Sequence, residues 1–455
     1  MKKIAVIGMG YVGLISALVF ADANENVICI DKNVEKIKML KNQKMPFYEK
    51  GCFKLLKKNF DRLTFTSNFD MISNVELFFI CVGTPLNSKS YLDSSEILQV
   101  VQKIKTHTER NKPVIICIRS TVLPGTCDEI AKNTNSPKIF IAHNPEFLSQ
   151  GTAVKDFIQA KRIVIGSNDD YTRKKLGEIY SKVQKHYNTK TPIINMNTKE
   201  SEMVKFVANS YLAMRLSFIN EINNLCKIIG TDISKIIEEI KYDERIGKKY
   251  LKPGIGYGGS CLPKDTKALL KFSKDNNCKL KLVQSTIEIN NSQLEKSLNI
   301  IKTDFPKLKN KNIALLGVTF KPNTDDIRNS CSLYLTDELI KHKAKINVYD
   351  PHGIQSYKKI YGNKVTYHET ISKCILGCNI IIIATDWTEI KKFDYNNIST
   401  KDKVFIYDFK TCISSKHNFN SNIKYVSLGG KDYEKWNNKC RYKIDKTMQH
   451  EMYVL

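Results

Sequence analysis

Short apolar runs separated by stretches of helical periodicity fill this sequence to about residue 195. They read "KIAVIGMG", "NVICID", "LFFICVGTP", "PVIICIRSTV", "KIFIAHNPEF" and "RIVIGS". Runs this continuously apolar have no polar face to turn to water, so they predict a parallel sheet covered by helices on both faces. The pattern changes at Glu200, where Met203, Phe206, Val207, Tyr211, Met214, Phe218, Ile222 and Leu225 fall at helical spacing. Asn197 and Glu200 can form a capping box and Gly230 supplies a stop, which predicts one helix of about 45 Å, enough to bridge two domains. Alternation returns in "NIALLGVTF", "INVYDP", "NIIIIATDW" and "VFIYDF". Ile313 to Gly317 echoes Ile4 to Gly8, and Asp350 closes a strand as Asp31 does. Shared ancestry would give that echo, and so would two doubly wound sheets that merely look alike. Both lead to the same α/β fold: two doubly wound domains joined by a long central helix and a helical middle.

A length of 455 residues exceeds one ordinary core, so two or three domains are expected. The formal charge of +26 suits an anionic partner. Its lysines are spread along the whole chain, with no basic stripe interleaved with aromatics. That spread disfavours a nucleic-acid surface and leaves a phosphate-bearing small molecule as the better match. Thirteen cysteines, an odd number without a compact framework, point to a reducing cytoplasm rather than a disulfide scaffold. No Cys-x-x-Cys occurs and the histidines do not gather near cysteines, so no metal site is expected. "MKKIAVIGMGYVGLISALVFADA" has the outline of a signal peptide, but three spaced glycines are poor in such an apolar region. A strand, a glycine turn and a helix account for it better. No later apolar run approaches the ~20 residues that would span a bilayer.

"GMGYVG" sets Gly8, Gly10 and Gly13 in the G-x-G-x-x-G spacing, after a predicted strand and at the opening of a predicted helix. A second strand then ends at Asp31. In that context the glycines read as a Rossmann-like dinucleotide cradle: Gly8 for the tight turn, Gly10 for approach of the pyrophosphate, Gly13 for close helix–strand packing. Asp31 would accept from the adenosine ribose hydroxyls and repel a 2′-phosphate, which favours NAD over NADP.

In "GYGGSCLPKDTKAL", Gly258, Gly259 and Ser260 precede Cys261, and Pro263 belongs in the first turn of a helix. Cys261 would then stand at a helix N-terminus with Lys264 close by, both lowering the thiol pKa and making a nucleophile. The competing reading is one small buried hydrophobe among thirteen cysteines. Asp265, four residues on, shares its helical face. Lys205 and Asn209, one turn apart on the long helix, could donate to a developing oxyanion. Glu146 in "NPEFLSQG" follows a strand end, where open α/β sheets bind ligands.

Taken with "CVGTP", "STVLPGT", "EMVKFVANSYLAMRLSFINE", "RIGKKYLKPGIGYGGSCLPKDTKAL" and "GVTFKPNTDDIRNS", these stretches resemble the nucleotide-sugar 6-dehydrogenases over nearly the whole chain. The likeness is greatest to the members that oxidise UDP-glucose. The resemblance implies two hydride transfers from C6 of the sugar to two NAD molecules, giving a uronic acid without release of aldehyde. By motif position it makes Cys261 the nucleophile, with Lys205 and Asn209 stabilising the C6 oxygen. Asp265 would work with a water, Glu146 would assist thioester hydrolysis, and Thr121 would lie beside them. Lys36, Thr84, Thr121 and Arg328 become further NAD contacts. Tyr250, Lys252, Gly258 and Lys321 fall on the nucleotide-sugar pocket, together with Glu146, Lys205 and Asn209. Arg245 matches an arginine that reaches a neighbouring subunit's substrate, which implies a homodimer or larger homo-oligomer. The implied domains are an NAD-binding Rossmann-like domain at 1–198, a central helical domain with the cysteine segment at 199–300, and a Rossmann-like UDP-binding domain at 301–455.

Two departures stand out. Gln150 occupies a position where relatives often carry glutamate; it can position water but cannot take its proton at neutral pH. Lys410 in "YDFKTC" stands where arginine is frequent, keeping the charge but losing the bidentate fork. GDP-mannose and UDP-N-acetylhexosamine 6-dehydrogenases are the nearest alternatives. A non-catalytic nucleotide-sugar sensor or an RNA-binding protein is the alternative of a different class. The basic stretch 431–446 is expected to be a solvated end.

Overall fold

The computed structural model describes residues 3–108, 112–398, 402–413 and 418–429. The basic stretch 431–446 lies outside the described residues. The chain divides into two compact units. The first takes the residues up to Ala213, then Gly259–Ile287 and Pro322–Asp326; the second takes Met214–Gly258, Glu288–Lys321 and the described residues from Ile327 onward.

The described residues of the first unit form eight strands: β1 (Lys3–Ile7), β2 (Asn26–Ile30), β3 (Leu63–Thr66), β4 (Leu77–Ile80), β5 (Val114–Ile118), β6 (Ile139–His143), β7 (Ile163–Gly166) and β8 (Ile193–Met196). Their order is β3-β2-β1-β4-β5-β6-β7-β8. Side chains alternate across the sheet, so β1 feeds two cores. Ile4 and Val6 pack with Leu14, Leu18 and Phe20 of the helix Tyr11–Asp22, and Ala5 and Ile7 pack with Ile97, Val101 and Ile104 of the helix Ser95–His107. Two apolar faces are the reason for the unbroken runs in the sequence. The neighbours pair in parallel, as expected, apart from β6 and β7, which meet antiparallel at His143 and Gly166. β3 and β8 carry no long apolar run and were not anticipated. Ile4–Ile7 and Tyr11–Asp22 are two separate elements joined at Gly8 to Gly10, as the strand–turn–helix reading requires.

The described residues of the second unit form six strands, β9 (Asn312–Leu316), β10 (Lys345–Tyr349), β11 (Thr366–Tyr367), β12 (Ile380–Ile383), β13 (Val404–Asp408) and β14 (Ile423–Ser427), in the order β11-β10-β9-β12-β13-β14. All pairs are parallel. Ile380 and Ile382 enter one core and Ile381 and Ile383 the other, all fully buried. Each contributes about 1.5–3 kcal/mol of transfer free energy.

The echo between the halves extends to atoms. Gly8 and Gly317 both end their strands with positive φ, at 94° and 90°. The N–H of the next residue then donates to the carboxylate closing the neighbouring strand: Met9 to Asp31 Oδ2 at 2.7 Å, Val318 to Asp350 Oδ2 at 2.7 Å. The two sheets also share the order of their first six strands. Among the described residues no helix is long and apolar enough to cross a membrane.

Candidate active site

The glycine loop forms one wall of a cavity of about 270 Å³ in the first unit, lined among others by Gly8, Gly10, Asp31, Lys36, Cys81 and Gly83. Gly8 and Gly13 are demanded by the protein itself. A Cβ on Gly8 would stand 2.7 Å from the Cys81 carbonyl oxygen, and one on Gly13 would stand 1.8 Å from that of Gly8. Gly10 is different: its φ of −79° suits any residue, and a Cβ there would meet no protein atom within 4 Å. Its lack of a side chain leaves open the N-terminus of the helix Tyr11–Asp22, the place where a pyrophosphate would be received. Asp31 is largely spoken for. Oδ2 accepts from Met9 N–H and from Lys36 Nζ at 2.7 Å, and Oδ1 accepts from Asn33 N–H at 2.8 Å. One lone pair on Oδ1 is left for a ribose hydroxyl. Its counterpart Asp350 has none, because Val318, Thr319 (twice), Trp387, His352 and Gly353 all donate to it. The second cradle is closed by its own protein, and the first retains an open acceptor.

The long helix runs Thr198–Ile229, and its capping box is formed as expected: Asn197 Oδ1 accepts from Glu200 N–H at 2.9 Å, and Glu200 Oε2 accepts from Asn197 N–H at 3.0 Å. About two and three turns in, Lys205 and Asn209 project into the first unit. Lys205 Nζ donates to Glu146 twice, to Oε1 at 2.7 Å and to the main-chain oxygen at 2.6 Å, leaving one N–H for a ligand. Asn209 Nδ2 donates to Asp265 Oδ2 at 2.5 Å, and Lys264 Nζ donates to Asp265 Oδ1 at 2.6 Å. Lys205, Glu146, Asn209 and Asp265 are all buried. Burial opposes charge on both members of the first pair. Their mutual attraction outweighs it, holding the Glu146 carboxyl below its usual range and the Lys205 ammonium above its own. Thr84 Oγ1 donates to the Thr121 carbonyl at 2.8 Å, tying the two loops after β4 and β5.

Cys261 is the N-cap of the helix Leu262–Asp275, with Pro263 in the first turn. The location agrees with the sequence reading and the electrostatics do not. Lys264 turns to Asp265, and the cation acting on the sulfur is Lys205. The residue presents surface to solvent, but protein crowds the sulfur itself, and this crowding pushes the thiol above its usual value. Lys205 pulls it down; Glu146 and Asp265 push it up; the contact with Ser260 at 3.6 Å pulls it down. The expected lowering of the pKa is therefore corrected: a thiol is stored here beside an ammonium that favours its ionised form.

Two residues beneath the site went unnoticed in the sequence. Buried Arg119 donates to Tyr180 Oη at 2.8 Å and to Asn144, ahead of Glu146. Buried His143 meets Ser201 Oγ through Nδ1 at 2.8 Å. The signal available was their position at the ends of β5 and β6. Gln150 is not turned toward water. Its Nε2 donates to Asp326 Oδ2 at 2.9 Å, and its Oε1 accepts from Thr324 Oγ1 at 2.8 Å.

Arg245, Tyr250, Lys252, Gly258, Lys321 and Arg328 belong to the second unit. There Arg245 is exposed and bonds Asp243 at 2.6 Å, and Tyr250 has φ of 62°. Lys252 lies 3.7 Å from Asp386, and a Cβ on Gly258 would stand 2.1 Å from the Asn329 carbonyl oxygen. Lys252, Lys410 and Lys391 all hold the Asp386 carboxyl below its usual range against the effect of burial.

A dinucleotide cradle and a polar cluster around a cysteine in one α/β unit define an NAD-dependent dehydrogenase. Family comparison assigns residues 2–184 to the NAD-binding domain of the UDP-glucose/GDP-mannose dehydrogenases, 199–292 to their central domain and 314–415 to their UDP-binding domain. The chain is 35% identical to the UDP-glucose 6-dehydrogenase YwqF of Bacillus subtilis, over 94% of this chain and 98% of that one. It is 33% identical to the UDP-glucose 6-dehydrogenase of Rhizobium meliloti, over 94% and 100%. The solved structure of a UDP-glucose dehydrogenase from Pyrobaculum islandicum superposes with a TM-score of 0.86 at 28% identity, covering 95% of this chain and 98% of that one. The chain belongs to the UDP-glucose/GDP-mannose dehydrogenase family.

Proposed function

We propose that this enzyme oxidises UDP-glucose at C6 to UDP-glucuronate, consuming one water and two NAD per sugar. Each NAD, when bound, supplies an acceptor for a hydride lost from C6. Gly8, Gly10, Gly13 and Asp31 would hold it, with Lys36, Thr84, Thr121 and Arg328 as further contacts. Cys261 adds to the C6 aldehyde and retains the sugar as a thiohemiacetal, then as a thioester. The remaining N–H of Lys205 and that of Asn209 donate to the C6 oxygen as charge gathers on it. Glu146, held ionised by Lys205, takes the proton of the water that cleaves the thioester, and Asp265 works with that water. The observation that carries this reading is the buried Lys205–Glu146 pair acting on the sulfur of Cys261.

Residues 1–198 carry NAD in this reading, 199–300 carry the nucleophile, and 301–455 hold the uridine diphosphate with Tyr250, Lys252, Gly258 and Lys321. Association into a homo-oligomer, with Arg245 serving a neighbour, is supported by Tyr211, Phe218 and Leu225. They recur every seventh residue of one helix and are each more than half exposed. Free cysteines suit a reducing cytoplasm. Incubation with NAD and either UDP-glucose, GDP-mannose or UDP-N-acetylglucosamine, followed by mass spectrometry, tests the substrate. A uronate from UDP-glucose alone supports the proposal, and a uronate from another sugar alone refutes it.

A further inference from the structure

The segment Pro322–Asp326 is a short excursion that packs into the first unit. Three separate stretches of that unit grip it. Tyr11, the residue after Gly10, donates through its hydroxyl to Asp325 Oδ1. Tyr48 N–H donates to Asp325 Oδ2 at 3.1 Å. Gln150 contributes both halves of its amide, donating to Asp326 and accepting from Thr324, while Gly151 lies so close to Asn323 that a Cβ would stand 2.7 Å from its carbonyl oxygen. Thr324 is fully buried and Asp326 nearly so. Tyr11 is braced from behind by Phe47, ring centroids 4.0 Å apart.

We propose that Gln150 is a positioning residue for the cofactor: its amide locks this strap onto Tyr11 and so fixes the helix start that receives the pyrophosphate. The inference rests on the reading of the glycine loop as the NAD site. The chemistry explains the amide. A carboxylate at 150 would still accept from Thr324 but could not donate to Asp326, and two carboxylates would face each other in a buried place. Gln150 thereby leaves thioester hydrolysis to other residues, and its removal changes cofactor affinity rather than the chemical step.

The test is an exchange of partners. NADH binding is titrated by its fluorescence, and kcat and KM for NAD are measured, for wild type, Gln150→Glu and the double variant Gln150→Glu/Asp326→Asn, with melting curves as a check of folding. The single variant is expected to weaken NADH binding about ten-fold, the equivalent of about 1.4 kcal/mol, and to raise KM for NAD with kcat nearly unchanged. In the double variant the amide introduced by Asp326→Asn supplies the donor, and affinity returns toward wild type. Should Gln150→Glu not fold, Thr324→Val, which removes the donor to Oε1 and keeps the shape, is expected to show the same loss of affinity. Unchanged NADH affinity, a fall in kcat alone, or no recovery in the double variant would overturn the proposal. Wild type that binds no NADH would instead remove the NAD reading on which it rests.

Discussion

Lys205 Nζ lies 2.7 Å from Glu146 Oε1, and neither side chain has more than a tenth of its surface exposed. Each charge is tolerated inside the protein because the other is there. Lys205→Met strands the carboxylate, and unfolding in urea is expected to show a loss of about 3–5 kcal/mol. Dehydrogenase activity falls with it, because the donor to the C6 oxygen is gone. A variant as stable as wild type would mean that the pair is not the buried couple described.

The same lysine governs the nucleophile. Crowding holds the Cys261 thiol above its usual value while Lys205 opposes this, so little thiolate exists in the free enzyme near neutrality. Alkylation by iodoacetamide at pH 8, followed at Cys261 by peptide mass spectrometry, is expected to be slower than that of a model peptide thiol. In Lys205→Met it should be slower again. Faster alkylation in the variant would contradict the assignment of Lys205 as the cation that favours thiolate.

His143 gives stability a pH dependence of known sign. Burial, the largest influence, lowers its pKa to about 3; a backbone bond at Ser120 opposes, and the charges of Lys205 and Arg119 reinforce the lowering. Between that value and the ordinary histidine value of about 6.5, the unfolded chain binds a proton that the folded one refuses. The contribution is complete above about 6.5 and is lost as pH falls toward 3. Urea unfolding across this window should show a steeper pH slope for wild type than for His143→Gln; equal slopes would refute the buried neutral imidazole.

The glycines of the cradle separate fold from binding. Gly13→Ala drives a methyl into the Gly8 carbonyl and is expected to cost several kcal/mol, the tail of single-mutant effects. Gly10→Ala meets no protein atom and should change stability by no more than about 1 kcal/mol, while NADH titration shows weakened binding. Loss of stability in Gly10→Ala with binding intact would reverse the assignment.

What could be read from the sequence was what is local or strongly periodic. Asn197 and Glu200 are three apart, so their reciprocal caps follow from spacing alone. Ile380–Ile383 announces a strand buried on both faces by having no polar position. β3, β8, β11 and β14 escaped because strands of two to five residues that mix apolar and polar positions carry too little pattern. Glu146 and Lys205 are 59 residues apart and Asn209 and Asp265 are 56 apart; their meeting is tertiary. Each alone reads as a solvated side chain. Lys264 misled for the converse reason: nearest to Cys261 in sequence, it is turned to Asp265, while the effective cation comes from another helix.

The central claim is a four-electron oxidation held on one cysteine. NADH absorbance is to be followed with limiting UDP-glucose and excess NAD, for wild type and Cys261→Ser side by side, and NADH counted per sugar consumed. The account predicts two NADH per UDP-glucose from wild type, with turnover abolished or stalled before the second NADH in the variant. One NADH per sugar from wild type, or two from Cys261→Ser at the wild-type rate, would contradict it.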